Sequence, residues 1–388
     1  MSPSDPMCHT LPTEGVVGTV YGVPLWGRLP AAFREYLLPP EGMPSSVAGR
    51  TVASASGGDG ERSPAAEPRD GAIEPLEVRY RQVAGLPQVD EIWASEPAGP
   101  EDAGRFGLFR LPEPPDGFGL TVTFPGRGLF RCGPRAVEID WTGSEAGAAH
   151  AFFAYALPLW LEAAGVPVLH GCGVVLGGRA VGFLGRSGVG KSTLCAELVR
   201  RGCPFLSDDG LALRRDGDRG WRCAAGPPFL RLWPSALEGR LGTSGEGLPR
   251  VHDGVEKRRL SVEKVVEEAV DEAVKGAGRE GALPGGEAAS GAPLGGLYLL
   301  DRRPGSGGPV EVLPCRGPDA LAALIEHSVC AAPAAALGLS ARRLHLLADL
   351  AEGTRVRRLR YPSGSGAAGP VRDAILRDLD GEGSCTRA

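Results

Sequence analysis

The chain has 388 residues, with 42 basic and 47 acidic side chains and a formal net charge of −5. A mildly acidic chain without a block of lysine or arginine lacks the electrostatic footprint of a nucleic-acid-binding protein, so we expect no nucleic-acid partner. The nine cysteines are scattered singly with no C-x-x-C pair, which argues against a zinc site and favours free thiols over a disulfide framework.

The apolar runs of the sequence are too short for a membrane helix. The most apolar stretch, residues 149–161, contains His150 and falls short of the roughly 20 residues that a span needs. The first residues, MSPSDPMCHT, have neither the basic patch nor the apolar segment of a signal peptide. We therefore expect a soluble, cytoplasmic protein with no membrane partner.

Glycine and proline are concentrated in two stretches that have little to bury, residues 44–73 and 276–295, and we expect both to be disordered. From the end of the first stretch to residue 140, short apolar runs alternate with turns rich in proline and glycine, which predicts strands. The predicted organisation is an N-terminal segment 1–43, a linker 44–73, a strand-rich domain 74–145, a second domain 146–380 with a disordered loop 276–295, and a tail 381–388.

The second domain is predicted to alternate strands and helices, which indicates an α/β fold. The predicted strands are residues 168–176, 179–184, 204–207, 296–301 and 356–361. The predicted helices are residues 146–165, 191–201, 319–329 and 342–350.

Residues 183–192, FLGRSGVGKS, match the phosphate-loop pattern G-x-x-x-x-G-K-[ST]. Glycines let backbone N–H groups approach phosphate oxygens, and the helix that follows adds its partial positive charge. Lys191 would reach the β- and γ-phosphates, and the Ser192 hydroxyl would complete a Mg²⁺ shell. The sequence thus predicts binding of ATP and Mg²⁺, with these nucleotide-binding residues: Gly185, Arg186, Ser187, Gly188, Val189, Gly190, Lys191, Ser192 and Thr193.

Two adjacent carboxylates, Asp208 and Asp209, follow the loop after one helix and one short strand. Such a pair can divide two tasks, one group binding Mg²⁺ and the other accepting the proton of an attacking hydroxyl. Successive strand residues point to opposite faces, so both reach one site only if the strand breaks, which Gly210 permits. His170 precedes the loop, and its imidazole beside a carboxylate could orient the base. The alternatives are a solvated turn and a structural histidine.

These residues resemble the HPr kinase/phosphorylase-like P-loop kinases, which are related in fold to phosphoenolpyruvate carboxykinase. The likeness is strongest over residues 169–213 and continues more weakly to residue 380 through PPFLRLWP, EKRRL, GLYLLDRRP and RVRRLRYP, where it is closest to shorter relatives from bacterial peptide-modification gene clusters. It implies an α/β fold with a P-loop kinase core of that type, preceded by a smaller strand-rich N-terminal region.

The resemblance also implies roles for single residues. Asp208 would take the proton of a substrate serine hydroxyl, His170 would support Asp208, and Asp209 would join Ser192 at the metal. Lys191 keeps its role in the loop. In the weaker matches, Arg231, Lys257 and Arg258 could neutralise the phosphate during transfer, or they could be solvated surface charges.

The sequence departs from the family at two places. The glycine-rich signature that follows the paired aspartates, Arg-Gly-Leu-Gly-Ile, is replaced by residues 226–233, GPPFLRLW. Thr193 stands where the family has an acid after the loop serine, so a second metal ligand does not carry over. We therefore do not expect HPr itself as the substrate.

The leading hypothesis is an ATP-dependent kinase acting on a serine of a peptide or small protein, for example a ribosomally made precursor such as that of a lasso peptide. One alternative is a kinase of a small-molecule hydroxyl. Another is a non-catalytic ATP sensor, in which the strand-rich region would bind a partner. A homo-oligomer is compatible with the resemblance.

Overall fold

The computed structural model describes residues 16–27, 29–38, 76–80, 91–95, 107–110, 119–124, 126–252, 255–275, 290–305, 308–364 and 366–381. The predicted linker 44–73, residues 276–289 of the predicted loop and residues 382–388 of the predicted tail lie outside these ranges.

The strands are numbered here in chain order. They are β1 Val16–Val20, β2 Val23–Gly27, β3 Leu76–Tyr80, β4 Glu91–Ala94, β5 Gly107–Arg110, β6 Leu120–Phe124, β7 Gly128–Cys132, β8 Ala136–Trp141, β9 Val168–Leu169, β10 Gly171–Leu176, β11 Arg179–Leu184, β12 Phe205–Ser207, β13 Leu211–Arg215, β14 Trp221–Cys223, β15 Phe229–Leu232, β16 Arg250–His252, β17 Val255–Ser261, β18 Ala292–Arg303, β19 Glu311–Pro314 and β20 Val356–Pro362.

The α-helices are likewise numbered in chain order. They are α1 Ala31–Arg34, α2 Glu145–Ala151, α3 Leu157–Ala163, α4 Lys191–Val199, α5 Pro234–Ala236, α6 Val262–Lys275, α7 Pro318–Glu326, α8 Ala331–Ala336, α9 Ser340–Gly353 and α10 Ala368–Asp380. A π-helical turn, Phe152–Ala156, joins α2 to α3 in one continuous helix, and a second π-helical turn, Leu237–Leu241, follows α5.

The first sheet contains eight described strands in the order β1-β2-β3-β8-β7-β6-β5-β4. The pairs β2–β3 and β3–β8 are parallel, and the other neighbours are antiparallel. Aromatic rings join this sheet to the helix that follows β8 and join that helix to α1, with centroids 5.9 Å apart for Phe130 and Phe152 and 5.6 Å apart for Phe33 and Phe152. Because β1 and β2 belong to it, the strand-rich region begins before residue 74, where the sequence placed its start.

The second sheet has the order β12-β10-β11-β18-β14-β13-β9, with β20 beside β18 and β19 beside β20. The strands β11, β18 and β20 are parallel. Their residues alternate between two apolar clusters, with Val181 and Phe183 in one and Ala180 and Leu184 in the other. Helices α4 and α10 contribute to the first cluster, and α7 and α9 contribute to the second. Helices therefore cover both faces of the parallel strands, as expected for an α/β domain.

The third sheet is small, with the order β15-β17-β16 and antiparallel pairing throughout. It contacts α4 through the apolar side chains of β15 and β17, since Leu230, Leu232 and Leu260 share a cluster with Leu194 and Leu198. This packing holds β15 against the helix that follows the phosphate loop.

The mixed α/β architecture that the sequence predicted is confirmed, and most predicted elements lie within a few residues of their expected bounds. One correction concerns β18, which begins at Ala292 and so takes in the end of the range predicted as the disordered loop 276–295. Its first residues pair with β11 and β14, which orders a segment too rich in glycine to suggest a strand. Within the described residues, no helix combines the length and the apolar character that crossing a membrane requires.

Candidate active site

The phosphate-loop motif connects β11 to α4, in the strand-loop-helix order that the pattern requires. Gly188 and Gly190 have φ angles of 83° and 102°, in the left-handed region that favours glycine. Gly190 is the N-cap of α4 and offers no side chain to cap the first turn. The N–H groups at the start of α4 are therefore available to an anion, as at other helix N-termini.

Lys191, the first residue of α4, folds back across this loop. Its Nζ donates hydrogen bonds to the backbone oxygens of Gly185, at 2.6 Å, and Arg186, at 3.3 Å. The residue is only 8% exposed, and burial lowers the pKa of its ammonium group. The lysine charge is thus held at the loop by backbone acceptors.

Asp208 lies directly beside the loop serine. Its Oδ1 accepts a hydrogen bond from Ser192 Oγ at 2.8 Å, and its Oδ2 accepts one from the backbone N–H of Arg231 at 2.7 Å. The residue is 4% exposed, so these two hydrogen bonds compensate much of the cost of burying a carboxylate. Two strands thus fix the position of Asp208: β12 of the second sheet, which ends just before it, and β15 of the third sheet, whose Arg231 N–H binds it.

The strand breaks at the paired aspartates, since β12 ends at Ser207 and β13 begins at Leu211; this is the break that the sequence permitted at Gly210. Asp209 has a φ of 72°, which is uncommon for a residue other than glycine. Its side chain forms an ion pair with the guanidinium group of Arg231. Such a strained residue beside a phosphate loop is typical of a functional turn.

His170 lies between β9 and β10 with its ring against Asp209. Its Nδ1 is 3.4 Å from Asp209 Oδ1 and 3.3 Å from the backbone oxygen of Asp209. Both neighbours are acceptors, so the neutral ring carries its proton on Nδ1 and leaves Nε2 with a lone pair.

The pairing within the site differs from the one the resemblance implied. His170 was predicted to support Asp208, and Asp209 was predicted to join Ser192 at the metal. In the structure Ser192 is hydrogen-bonded to Asp208, and His170 lies against Asp209 while the charge of Asp208 also acts on its ring. The positive φ of Asp209 lies at this turn, where the two carboxylates have different direct partners.

We expect the His170 ring to stay neutral at pH values well below the usual pKa of a histidine. Burial lowers its pKa to about 4, helped by the positive charge of Lys191 and opposed by Asp208. In an NMR titration, with the His170 signal assigned from a His170→Gln spectrum, the midpoint should lie well below the ordinary value of 6.5. A midpoint at 6.5 or above would show that the neighbouring carboxylates dominate.

The same shift gives a direction to the pH dependence of stability. The unfolded chain binds a proton at His170 near 6.5 and the folded chain near 4. Between these values the unfolded state binds more protons, so the free energy of unfolding falls as the pH is lowered. Above this window His170 contributes no pH dependence.

Arg231 on β15 is close to both aspartates. Its side chain is 6% exposed, pairs with Asp209 and lies 5.7 Å from the centre of the Phe229 ring. The guanidinium that was predicted to neutralise phosphate is therefore engaged by a carboxylate. Arg258 on β17 contacts the Leu248 backbone oxygen at 3.5 Å and lies 3.8 Å from Glu256.

Tyr21, at the turn between β1 and β2, also lies at the aspartate turn, and no sequence motif marks it. This residue is 2% exposed, its N–H donates to the Ala225 backbone oxygen at 2.6 Å, and burial raises its pKa to about 12. Its hydroxyl contacts Ser207, whose own Oγ bonds the Gly210 backbone oxygen at 2.5 Å across the aspartate turn. The alternating apolar residues around Tyr21 are typical of a β-hairpin, but they do not show that its turn contacts the backbone at Ala225.

Tight packing at this turn predicts a stability effect for Gly226→Ala. An added Cβ would lie 2.1 Å from Ser207 Oγ and 2.9 Å from Tyr21 Cε1, so both side chains must move. We expect a loss of about 1–3 kcal/mol in chemical denaturation, the usual cost of overpacking. Gly239→Ala is the control, since its Cβ would meet no atom within 4 Å. Equal stability of the two variants would contradict the packing seen here.

The oxygen atoms at the loop fit a Mg²⁺ ion that arrives with phosphate. No group of three or more His, Cys, Asp or Glu side chains in the described ranges could hold a metal by itself. Mg²⁺ in phosphate-transfer sites takes only one or two protein ligands and completes its shell with phosphate and water. Ser192 Oγ and the Asp208 carboxylate supply ligands of that kind.

Comparison with known proteins gives a partial match. No family model matches the sequence. The chain is 41% identical over 61 residues to an HPr kinase/phosphorylase from Exiguobacterium sp., a match that covers 16% of this chain and 20% of that protein. The predicted resemblance is confirmed over that segment. The match thus spans about a fifth of its curated relative.

A solved structure, the HPr(Ser) kinase/phosphatase from Coxiella burnetii, aligns with 56% of this chain and 99% of its own. The identity is 11% and the TM-score is 0.28. The sequence match, and not this superposition, carries the resemblance.

Proposed function

We propose that this chain is an ATP-dependent phosphotransferase that transfers the γ-phosphate to a serine hydroxyl of a peptide or small protein. The observation that carries the proposal is the hydrogen bond of 2.8 Å between Ser192 Oγ and Asp208. This hydrogen bond places the loop that would hold phosphate next to the two carboxylates that would bind the metal and accept the proton of the acceptor hydroxyl. A loop for nucleotide binding alone has no evident need for the second carboxylate.

The loop residues would hold the nucleotide. Backbone N–H groups from Gly185 to Thr193 would bind phosphate oxygens, and the Lys191 ammonium would leave its carbonyl partners for the β- and γ-phosphates. Mg²⁺, held by Ser192 and Asp208, would supply charge neutralisation at the phosphates.

The two carboxylates would then have different tasks. Asp208 is buried and bonded to the loop serine, which suits the metal side of the site. The Asp209 side chain is 36% exposed and adjoins the His170 ring, which suits a group that receives an acceptor hydroxyl. We therefore propose that Asp209 orients this hydroxyl and accepts its proton, with His170 and Arg231 fixing the carboxylate. This exchanges the two roles that the resemblance implied.

The name of the sequence relative points to a protein substrate, and the lack of the glycine-rich signature points away from HPr. We test the acceptor class with ATP, Mg²⁺ and three sets of acceptors. These are peptides and small proteins encoded beside this chain, the same peptides with each serine replaced by alanine, and free serine with other hydroxyl metabolites. Mass spectrometry should show one added phosphate on a peptide serine. Phosphate on metabolites alone would replace the peptide with a small-molecule acceptor.

A further inference from the structure

One face of the small sheet carries a row of cations. Arg231 on β15 is the register partner of Arg259 on β17, so these two side chains lie on the same face. Each is matched by an acid, since Arg231 pairs with Asp209 and Arg259 lies 3.0 Å from Glu35 Oε2. The charges of these two arginines are therefore compensated within the chain.

Lys257 is the third cation of this face, because it precedes Arg259 by two residues in the same strand. Its Nζ lies 5.6 Å from the centre of the Trp233 ring, and Trp233 is 45% exposed. Among the described residues, no hydrogen bond or ion pair engages the Lys257 ammonium. It is the cation of this row that an incoming anion can reach.

The position of Lys257 is close to the catalytic centre. It shares its face of the small sheet with Arg231, whose guanidinium group pairs with Asp209, and its charge also acts on His170 and Lys191. Like charges gathered in this way repel one another unless an anion arrives between them. The exposed Trp233 ring leaves this end of the row open to solvent.

We propose that Lys257, held over Trp233, is an oxyanion-binding site on the acceptor side of the catalytic centre. The ligand is a phosphate or carboxylate group, supplied either by the terminal phosphate of the nucleotide or by an acidic group of the acceptor. This inference rests on the proposed function for its place in the reaction. The binding of an anion can nevertheless be measured without any phosphate transfer.

Arg258 provides a matched control. It neighbours Lys257 and carries the same charge, but it alternates to the opposite face of β17, where it lies 3.8 Å from Glu256 and contacts the Leu248 backbone oxygen. The variants Lys257→Gln and Arg258→Gln therefore remove equal charge from opposite faces of one strand. Lys257→Arg retains the cation and shows whether charge at this place is sufficient.

The test is a titration of the full chain with inorganic phosphate by calorimetry, in saturating ADP and Mg²⁺ so that the phosphate loop is filled. We expect Lys257→Gln to weaken phosphate binding about ten-fold, the loss of one charged hydrogen bond, while Arg258→Gln and Lys257→Arg stay close to wild type. The affinity for ADP should be unchanged in all three variants, which separates this site from the loop.

A second arm identifies the source of the anion. If Lys257→Gln weakens ATP but not ADP, the ligand is the terminal phosphate of the nucleotide. If it raises only the KM of the acceptor peptide, the ligand is an acidic group of the acceptor. Absence of phosphate binding in the wild-type chain, equal binding in Lys257→Gln, or an equal loss in Arg258→Gln would overturn the proposal. Each of these results would leave the test of phosphate transfer intact.

Discussion

Lys191→Ala is expected to abolish useful ATP binding. The Lys191 ammonium is buried and anchored to the backbone oxygens of Gly185 and Arg186, at the place where the phosphates would lie. Removing one partner of a buried, charged hydrogen-bonded contact costs about 2–5 kcal/mol, so the Kd should rise at least about 30-fold. Calorimetric titration with ATP and Mg²⁺ measures the change directly.

Lys264→Ala serves as the control for this variant. Lys264 lies on α6, outside the loop and its contacts, and its loss removes the same charge from the chain. We expect its ATP affinity to match that of the wild-type chain. ATP binding by Lys191→Ala with undiminished affinity would show that the motif does not hold the nucleotide.

Asp208→Asn is expected to lower the rate of phosphate transfer by about 10²–10³-fold, the loss found when one preorganised electrostatic contact at the reacting centre is removed. The amide fits the same space, because its oxygen can accept from the Arg231 N–H and its NH₂ can donate to Ser192 Oγ. The thermal midpoint should therefore change little while the negative charge is lost. Rates at saturating ATP, with a melting curve for each protein, provide the measurement.

The magnesium dependence separates the two aspartates. If Asp208 is on the metal side, raising the Mg²⁺ concentration should partly restore Asp208→Asn and leave Asp209→Asn unchanged. The structural basis is that Ser192 contacts Asp208, whereas His170 contacts Asp209. A slow Asp208→Asn variant with an unaltered Mg²⁺ requirement would return the role of proton acceptor to Asp208.

The local parts of the site could be predicted from the sequence because each depends on neighbours in the chain. The phosphate loop follows from glycines at required positive φ angles, and Gly210 permitted a strand break beside the two aspartates. The side on which each carboxylate lies could not be predicted. It depends on long-range contacts with Ser192, Arg231 and His170, at a turn where Asp209 has a positive φ that few residues other than glycine adopt.

The remaining contacts depend on strands that are distant in the sequence. Tyr21 reaches Ser207 because the turn between β1 and β2 is hydrogen-bonded to the Ala225 backbone, far along the chain. From the sequence, three residues could equally neutralise phosphate or be solvated surface charges: Arg231, Lys257 and Arg258. The register of β15 and β17 separates them, placing Arg231 and Lys257 on the face of the active site and Arg258 on the other.

The most direct test of phosphate transfer uses γ-labelled ATP, Mg²⁺ and the peptides encoded beside this chain, with ATP binding measured on the same sample. We predict that label appears on a peptide serine, and that it disappears in both Lys191→Ala and Asp208→Asn. ATP binding without label on any peptide, metabolite or released phosphate, accompanied by a change of oligomeric state, would contradict a phosphotransferase and identify an ATP sensor.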